Sequence, residues 1–254
     1  MIGGFIIQGT ERKTVIIRAI GPELTQFGVP NVLLNPTLEL HDATGALLAS
    51  NDDWQTTIIG GIIIHNQVQQ IINSGHAPMD PRESAIIASL PAGNYTAIVR
   101  GVSNTRGVAL VEAYDLSPDA DSKLDNLSTR SFVQTADNVM IGGFIVAGPK
   151  RVLIRALGPE LTQFNVPNVL ADPTLELHNG TGALIASNNN WQTTIIGGII
   201  MNDQVMAILN TGLAPTDGRE SAIIANLPAG NYTAIVRGVN GTTGVALVEV
   251  YDLQ

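Results

Sequence analysis

Residues 15–116 and 152–253 are two versions of one sequence. VIIRAIGPELTQF…GVALVEAYDL and VLIRALGPELTQF…GVALVEVYDL run in step without a gap, with about three positions in four unchanged. The offset from Val15 to Val152, 137 residues, is too long for a solenoid unit, which must stack on its neighbours, and matches the ordinary size of a self-sufficient domain. Two domains of one fold follow: residues 1–116, a linker at 117–127, and residues 128–254. Stalks, adhesins and filaments grow by duplicating a whole module, whereas an enzyme gains little from a second near-copy of its site. The repeat therefore favours structure or binding over catalysis.

Each copy is long enough to bury a core without covalent help, and with no cysteine in the chain none comes from disulfides. A formal net charge of −9 opposes binding to nucleic acid or to anionic membrane surfaces. The longest apolar run, Ile58 to Ile64, is interrupted by Gly60 and Gly61 and is far short of the roughly 20 residues a membrane-spanning helix needs. Met1-Ile2-Gly3-Gly4-Phe5 lacks a basic region and returns as Met140-Ile141-Gly142-Gly143-Phe144, so it reads as repeat sequence and not as a signal peptide.

Short runs rich in Val, Ile, Thr and Tyr, punctuated by Gly, Pro and Asn, predict an all-β fold: two tandem jelly-roll-like or Greek-key β-sandwiches. In the first copy the strands are expected at 4–8, 14–20, 37–41, 46–50, 84–90, 95–99 and 108–114, with turns at Asp42 to Gly45 and Pro91 to Asn94. Leu38 and Leu40 alternate with polar neighbours, the pattern of a strand with one wet face. The runs at Thr14, Ser84 and Val108 are apolar on both faces and need cover on both. Ile64, Val68, Ile71 and Ile72 recur at helical spacing before Ser74-Gly75, which predicts one short helix in a connection, matched at Asn202 to Asn210. Before the second copy, Ser128 to Val133 reads as an additional strand, and the first copy has no counterpart to it. A sandwich short of one strand leaves backbone donors and acceptors along an open edge, to be filled either by an upstream part of a longer protein or by a strand added from a neighbouring molecule.

Chemistry is sparse. His65 and His76 are replaced by Asn202 and Leu213 in the second copy, and His41 and His178 lie on the polar side of an alternating strand with no nucleophile elbow near them. The Gly pairs at 3–4, 60–61, 142–143 and 197–198 lack phosphate-loop spacing and predict bulges or close backbone approach. Asn51-Asp52-Asp53-Trp54 clusters oxygen ligands of the kind calcium prefers, so Asp52 and Asp53 form a candidate metal site in the first copy. The second copy reads Asn188-Asn189-Asn190-Trp191 there, and no other cofactor is expected. Arg18, Arg100 and Glu112, with Arg155, Arg237 and Glu249, sit inside apolar runs and call for ion pairing. Asp80, Arg82 and Glu83 read as a turn with ion pairs.

The uncharged stretch Thr56 to Ile64, repeated as Thr193 to Met201, is either a lid on the core or an interaction patch. Its candidate interface residues are Ile58, Ile59, Ile62 and Ile63, with Ile195, Ile196, Ile199 and Ile200, joined by Ser128, Arg130 and Phe132 of the additional strand.

Pro36 to Asp42, Leu48 to Trp54 and Leu90 to Gly101 together resemble tandem β-sandwich modules of bacterial secreted and surface proteins, similar in pattern to pre-peptidase C-terminal domains. The resemblance covers nearly all of each copy. It implies export, a jelly-roll-like sandwich and no catalysis, and, for those relatives that bind calcium through acidic turns, a role for Asp52 and Asp53. The expectation drawn from residues and resemblance together is an extracellular or cell-surface structural protein. Its partner is itself, in a head-to-tail homopolymer joined by strand complementation, without nucleic acid, membrane insertion or a small-molecule substrate. An adhesin or substrate-targeting module of a larger secreted protein is the alternative.

Overall fold

The computed structural model of the chain describes residues 1–136 and 138–253. Its backbone divides into two compact units, Met1–Asp125 and Asn126–Gln254. Both are β-sandwiches, so the chain is all-β with one short α-helix per unit.

In unit 1 the strands are β1 (Ile2–Gly9), β2 (Lys13–Ile20), β3 (Pro36–His41), β4 (Leu47–Asn51), β5 (Ser84–Leu90), β6 (Gly93–Gly101) and β7 (Leu110–Asp115), with helix α1 (Val68–Asn73) between β4 and β5. One sheet contains β4-β3-β6-β1 and the other β5-β2-β7, each ladder antiparallel. The chain changes sheet at nearly every step, the crossing pattern of a jelly-roll-like sandwich.

Strand β8 (Ser122–Val133) follows. Its first residues belong to unit 1, where Thr10 and Glu11 donate their N–H groups to Asp121 O at 2.9 and 3.3 Å and Gln8 donates to the Asp125 carboxylate at 2.7 Å. From Asn126 onward it belongs to unit 2, together with β9 (Met140–Val146), β10 (Lys150–Leu157), β11 (Pro173–Asn179), β12 (Leu184–Asn188), α2 (Val205–Asn210), β13 (Ser221–Leu227), β14 (Gly230–Gly238) and β15 (Gly244–Asp252). Unit 2 repeats the first sheet as β12-β11-β14-β9. Its second sheet has one strand more, β13-β10-β15-β8.

In unit 2 the core lies between the sheets. Leu175, Leu177, Ala234, Val236 and Phe144 from one sheet meet Val152, Ile154, Ile223, Ala225, Ala246 and Val248 from the other. The strands that are apolar on both faces are explained by a second, smaller cluster on the outer side of the β10–β13 sheet, where Leu153, Ala222 and Ile224 are covered by Trp191 and by Ile208 of α2. Unit 1 does the same with Ile16, Ala85, Trp54 and Ile71. The helix therefore forms from tertiary cover of its apolar side; six residues are too few to hold a helix alone.

Local devices recur in both copies. Tyr95 and Tyr232 each donate their hydroxyl to the carbonyl four residues earlier, Pro91 at 2.9 Å and Pro228 at 3.0 Å, pinning the turn into β6 and β14. Gly3 and Gly142 face Val111 and Val248 so closely that a Cβ would stand 2.9 Å from a valine methyl; here the glycines let the two sheets approach. The expected ion pairs resolve into two kinds. Arg18 pairs with Glu112 and Arg155 with Glu249 inside the second sheet, while Arg100 pairs with Glu39 and Arg237 with Glu176 on the first.

Candidate assembly surfaces

The units differ most at their last strand. In unit 2, β15 is paired on both sides: Leu247 to Asp252 align with β10, and Gly244 to Tyr251 align antiparallel with Val133 to Asn126 of β8. In unit 1, among the described residues, β7 pairs with β2 alone and ends its sheet. The consequence is visible along the strand. Val248 is 2% and Ala246 0% exposed, whereas their counterparts Val111 and Ala109 are only partly buried and Leu110 is 39% exposed. Strand β15 also starts at Gly244, three residues earlier in the repeat than β7, so the first three residues of the repeated strand, Gly107 to Ala109, lie outside the ladder.

Leu116 donates to Thr14 O at 2.8 Å, and in an antiparallel pair alternate residues bond to the same neighbour. Tyr114 and Glu112 therefore bond towards β2, and the N–H and C=O groups of Val111 and Ala113 point to the open side. The strand is nonetheless anchored. Arg18 donates Nε to Glu112 Oε2 at 2.9 Å and Nη1 to His76 O at 2.9 Å, and the fully buried Lys13 ammonium donates to Asp115 at 2.9 Å and to Ser117 O at 2.7 Å. A fixed strand with a free edge can template a further strand.

On β8, Val133 belongs to the core and Leu127 packs against it, which by alternation puts Ser128, Arg130 and Phe132 on the outer face. Phe132 is half exposed there.

The Ile-rich loops are small hairpins pinned to the sandwich edge. Gly60 and Ile63 exchange two backbone hydrogen bonds of 2.9 Å, and Ile62 donates to Leu48 O at 2.9 Å. Gly61 has φ of +56° and its absent Cβ would collide with Leu48 O, so only glycine fits. Gly197, Gly198, Ile199 and Ile200 repeat this against Ile185. The expected interface set is corrected at two positions: Ile63 and Ile200, each 4% exposed, are plugs in the units' own cores and are not free to touch a partner. The hairpin turns those two side chains inward and leaves Ile58, Ile59, Ile62 and Ile64, with Ile195, Ile196, Ile199 and Met201, exposed at matching positions.

At the acidic turn, buried Ser84 sets its hydroxyl against Pro36 O at 2.7 Å and Asp52 O at 2.6 Å, tying the start of β3 to the end of β4. Around this tie, Asn35 Oδ1, Asp52 Oδ1 and Asp53 Oδ1 are buried with no hydrogen-bond partner. Burial, and then the charge of Asp53, push the Asp52 carboxyl up. In unit 2 the residue corresponding to Asn35 is Asp172. Asp172 Oδ1 and Asn189 Oδ1 are the unpartnered atoms there, so the carboxylate changes place in the repeat and is not simply lost. Among the described residues, no three His, Cys, Asp or Glu side chains are grouped as metal ligands.

The residue pattern at Glu83 and Glu220 shows a turn with ion pairs but not what the fold does with these two carboxyls. Both are fully buried. Glu83 Oε1 accepts the N–H groups of Gly21 and Glu23 at 3.0 and 2.8 Å, and Glu220 Oε1 those of Gly158 and Glu160 at 3.2 and 2.7 Å, fastening the 3₁₀ turns Pro22–Phe27 and Pro159–Phe164 to the strands β5 and β13. Burial pushes each carboxyl up to about 7 against the pull of those N–H groups. A carboxyl raised from its ordinary 4.5 binds more protons folded than unfolded, so its contribution is full below pH 4.5 and is lost as pH rises through about 7. The chain is expected to be more stable at pH 5 than at pH 8, by on the order of 1–3 kcal/mol, read as the urea midpoint at each pH. Glu83→Gln with Glu220→Gln should flatten that slope; an unchanged slope would exclude these two groups as its source.

Three of the four histidines take structural places. His41 and His178 bond the turn carbonyls of Gly45 and Gly182 and the carboxylates of Glu39 and Glu176, and His76 stacks on Tyr114 at 4.2 Å. No helix of the described chain is long and apolar enough to cross a membrane.

The chain matches no protein-family model and no curated protein sequence. Among solved structures it is similar to the pre-peptidase C-terminal domain of collagenase from Bacillus anthracis, at 15% identity over 49% of this chain and 88% of that one, with a TM-score of 0.30. It is also similar to the STIV MCP, at 12% identity over 98% and 90% of the two chains with a TM-score of 0.28. The major capsid protein of bacteriophage PM2 aligns at 9% identity over 99% and 92%, with a TM-score of 0.23. What this chain shares with these proteins is a coarse likeness of β fold.

Proposed function

We propose that this chain is a non-catalytic structural module of an extracellular protein, assembling head to tail with copies of itself into a filament or stalk. One observation carries the reading: two nearly identical sandwiches, one with its last strand covered by β8 and the other with the same strand bare along one edge. The exposed isoleucines at matching loops of both units add apolar surface that association would remove from water. Negative-stain electron microscopy and light scattering of the purified chain over a concentration series test it. Fibres, or a mass that grows with concentration, are expected; particles of single-chain mass at every concentration would refute self-assembly.

A second reading, an adhesin or substrate-targeting module of a larger secreted protein that binds calcium, is favoured by the unpartnered buried oxygens of Asn35, Asp52 and Asp53. Hard cations select such oxygens. If it holds, calcium at a hundred times its dissociation constant stabilises the chain by about 2.7 kcal/mol, and Asp52→Asn with Asp53→Asn, the residues unit 2 has at those two positions, abolishes that gain in a thermal melt. An identical midpoint with calcium and with chelator would remove this reading.

A further inference from the structure

We propose that the open edge of β7 is an acceptor groove for one extended strand of the β8 type, contributed by a further module of this kind and bound antiparallel in the register that β8 adopts on β15. This deepens the assembly reading above and rests on it; because the chain's own β8 is held by β15, the strand it takes is one outside residues 1–254. The chain contains its own template for the joint. Unit 2 shows the pairs Gly244 with Val133, Leu247 with Arg130 and Tyr251 with Asn126. Carried back by the repeat, Gly107 faces the residue equivalent to Val133, Leu110 that of Arg130, and Tyr114 that of Asn126.

The chemistry of the occupant follows from what β8 does in place. Its apolar ends reach the core: Val133 is a core residue and Leu127 packs on that core, with Thr129 and Ser131 between them on the same side by alternation. Asn126, buried, donates Nδ2 to Val250 O at 3.1 Å; the carbonyl at that place in unit 1 belongs to Ala113, whose backbone points to the open side. The occupant is therefore an extended segment with an Asn at its first position, Leu beside it, small hydroxyl residues inside and a β-branched apolar residue at its end. It covers Val111 and Ala109 as Val248 and Ala246 are covered, and draws Gly107 to Ala109 into the strand as Gly244 to Ala246 are.

The probe is the synthetic peptide NLSTRSFV, the sequence of Asn126 to Val133, added to the full chain. Because the chain has no cysteine, register can be trapped with single thiols. Leu247 bonds towards β10, so its pair with Arg130 is the close, non-hydrogen-bonded kind that a disulfide can bridge. Leu110→Cys in the chain is expected to displace thionitrobenzoate from a peptide carrying Arg130→Cys as its thionitrobenzoate disulfide, forming the mixed disulfide about tenfold faster than with peptides carrying Ser128→Cys or Phe132→Cys activated in the same way. On the unmodified chain the peptide should slow amide exchange at Val111 and Ala113, which does not depend on the cysteine variant folding well. Equal trapping of the three peptides and of a scrambled control, with no change in exchange, overturns the proposal. Fibres without peptide trapping would leave self-assembly standing and place its joint elsewhere; trapping without fibres would leave the acceptor edge standing and remove autonomous polymerisation.

Discussion

Placing a copy of residues 126–139, NLSTRSFVQTADNV, directly ahead of Met1 is expected to abolish assembly and to raise the unfolding midpoint of unit 1 by roughly 10 °C. The insertion reproduces what precedes Met140, so the first copy receives in cis the strand its twin already has. Burying a leucine and a valine contributes about 3–6 kcal/mol in gross terms, and each new ladder hydrogen bond about 0.5–1.5 kcal/mol net. Ordering eight residues costs about 1–2 kcal/mol each, so a free peptide binds weakly and a tethered strand, at an effective concentration near millimolar, binds well. A net gain on the order of 2–4 kcal/mol follows. Calorimetry of the extended chain reads it directly. A midpoint that does not move, with fibres still forming, would show that β7 is not the joint.

Glu249→Gln should be the most damaging single change in unit 2, costing about 3–5 kcal/mol. Arg155 and Glu249 are both nearly enclosed, with Arg155 also donating to Leu213 O at 2.7 Å and lying 5.2 Å from the Tyr251 ring. Removing the carboxylate leaves a guanidinium in a place from which water is largely excluded. The matching Glu112→Gln should cost less, because Glu112 belongs to the bare strand and water reaches its carboxylate more easily. Two transitions resolved in urea would assign each loss to its unit. The double change Arg155→Met with Glu249→Leu should recover most of the loss, since an apolar pair of similar size needs no compensation; failure to recover would mean that the Leu213 and Tyr251 contacts, and not the charge pair, set the stability.

Much of this fold is legible in the chain. The expected strands fall within one or two residues of those observed, and Ser84 to Leu90 agrees at both ends, because alternation and turn residues are local signals. The short helix was legible from the spacing of Val68, Ile71 and Ile72, although it begins four residues after Ile64, where the hairpin still holds the backbone. Strand β8 is longer than its expected six residues, since Ser122 to Asp125, read as polar linker, lie against the end of β1. Pairing of that kind depends on a partner more than a hundred residues away and leaves no mark in a polar sequence.

The candidate surfaces were legible in part. The Ile-rich runs were visible as anomalies, but which isoleucines face inward is set by a glycine at positive φ and a hydrogen bond to β4, and composition carries neither. Glu83 and Glu220 read as members of turns held by ion pairs. Their burial follows from the 3₁₀ turn that folds over them and offers two N–H groups to each carboxylate.

Residue by residue, the chain already shows two domains of one kind, made of strands, with a strand segment between the two copies, because duplication and period are local properties of a sequence. Tertiary structure decided where that strand goes. Only the assembled sheets show that β8 pairs with β15, that the corresponding side of β7 is an edge, and that the carboxylate at Asp52 in one copy reappears at Asp172 in the other. These are relations between distant segments brought together by the core, and a single segment's pattern does not encode its neighbour.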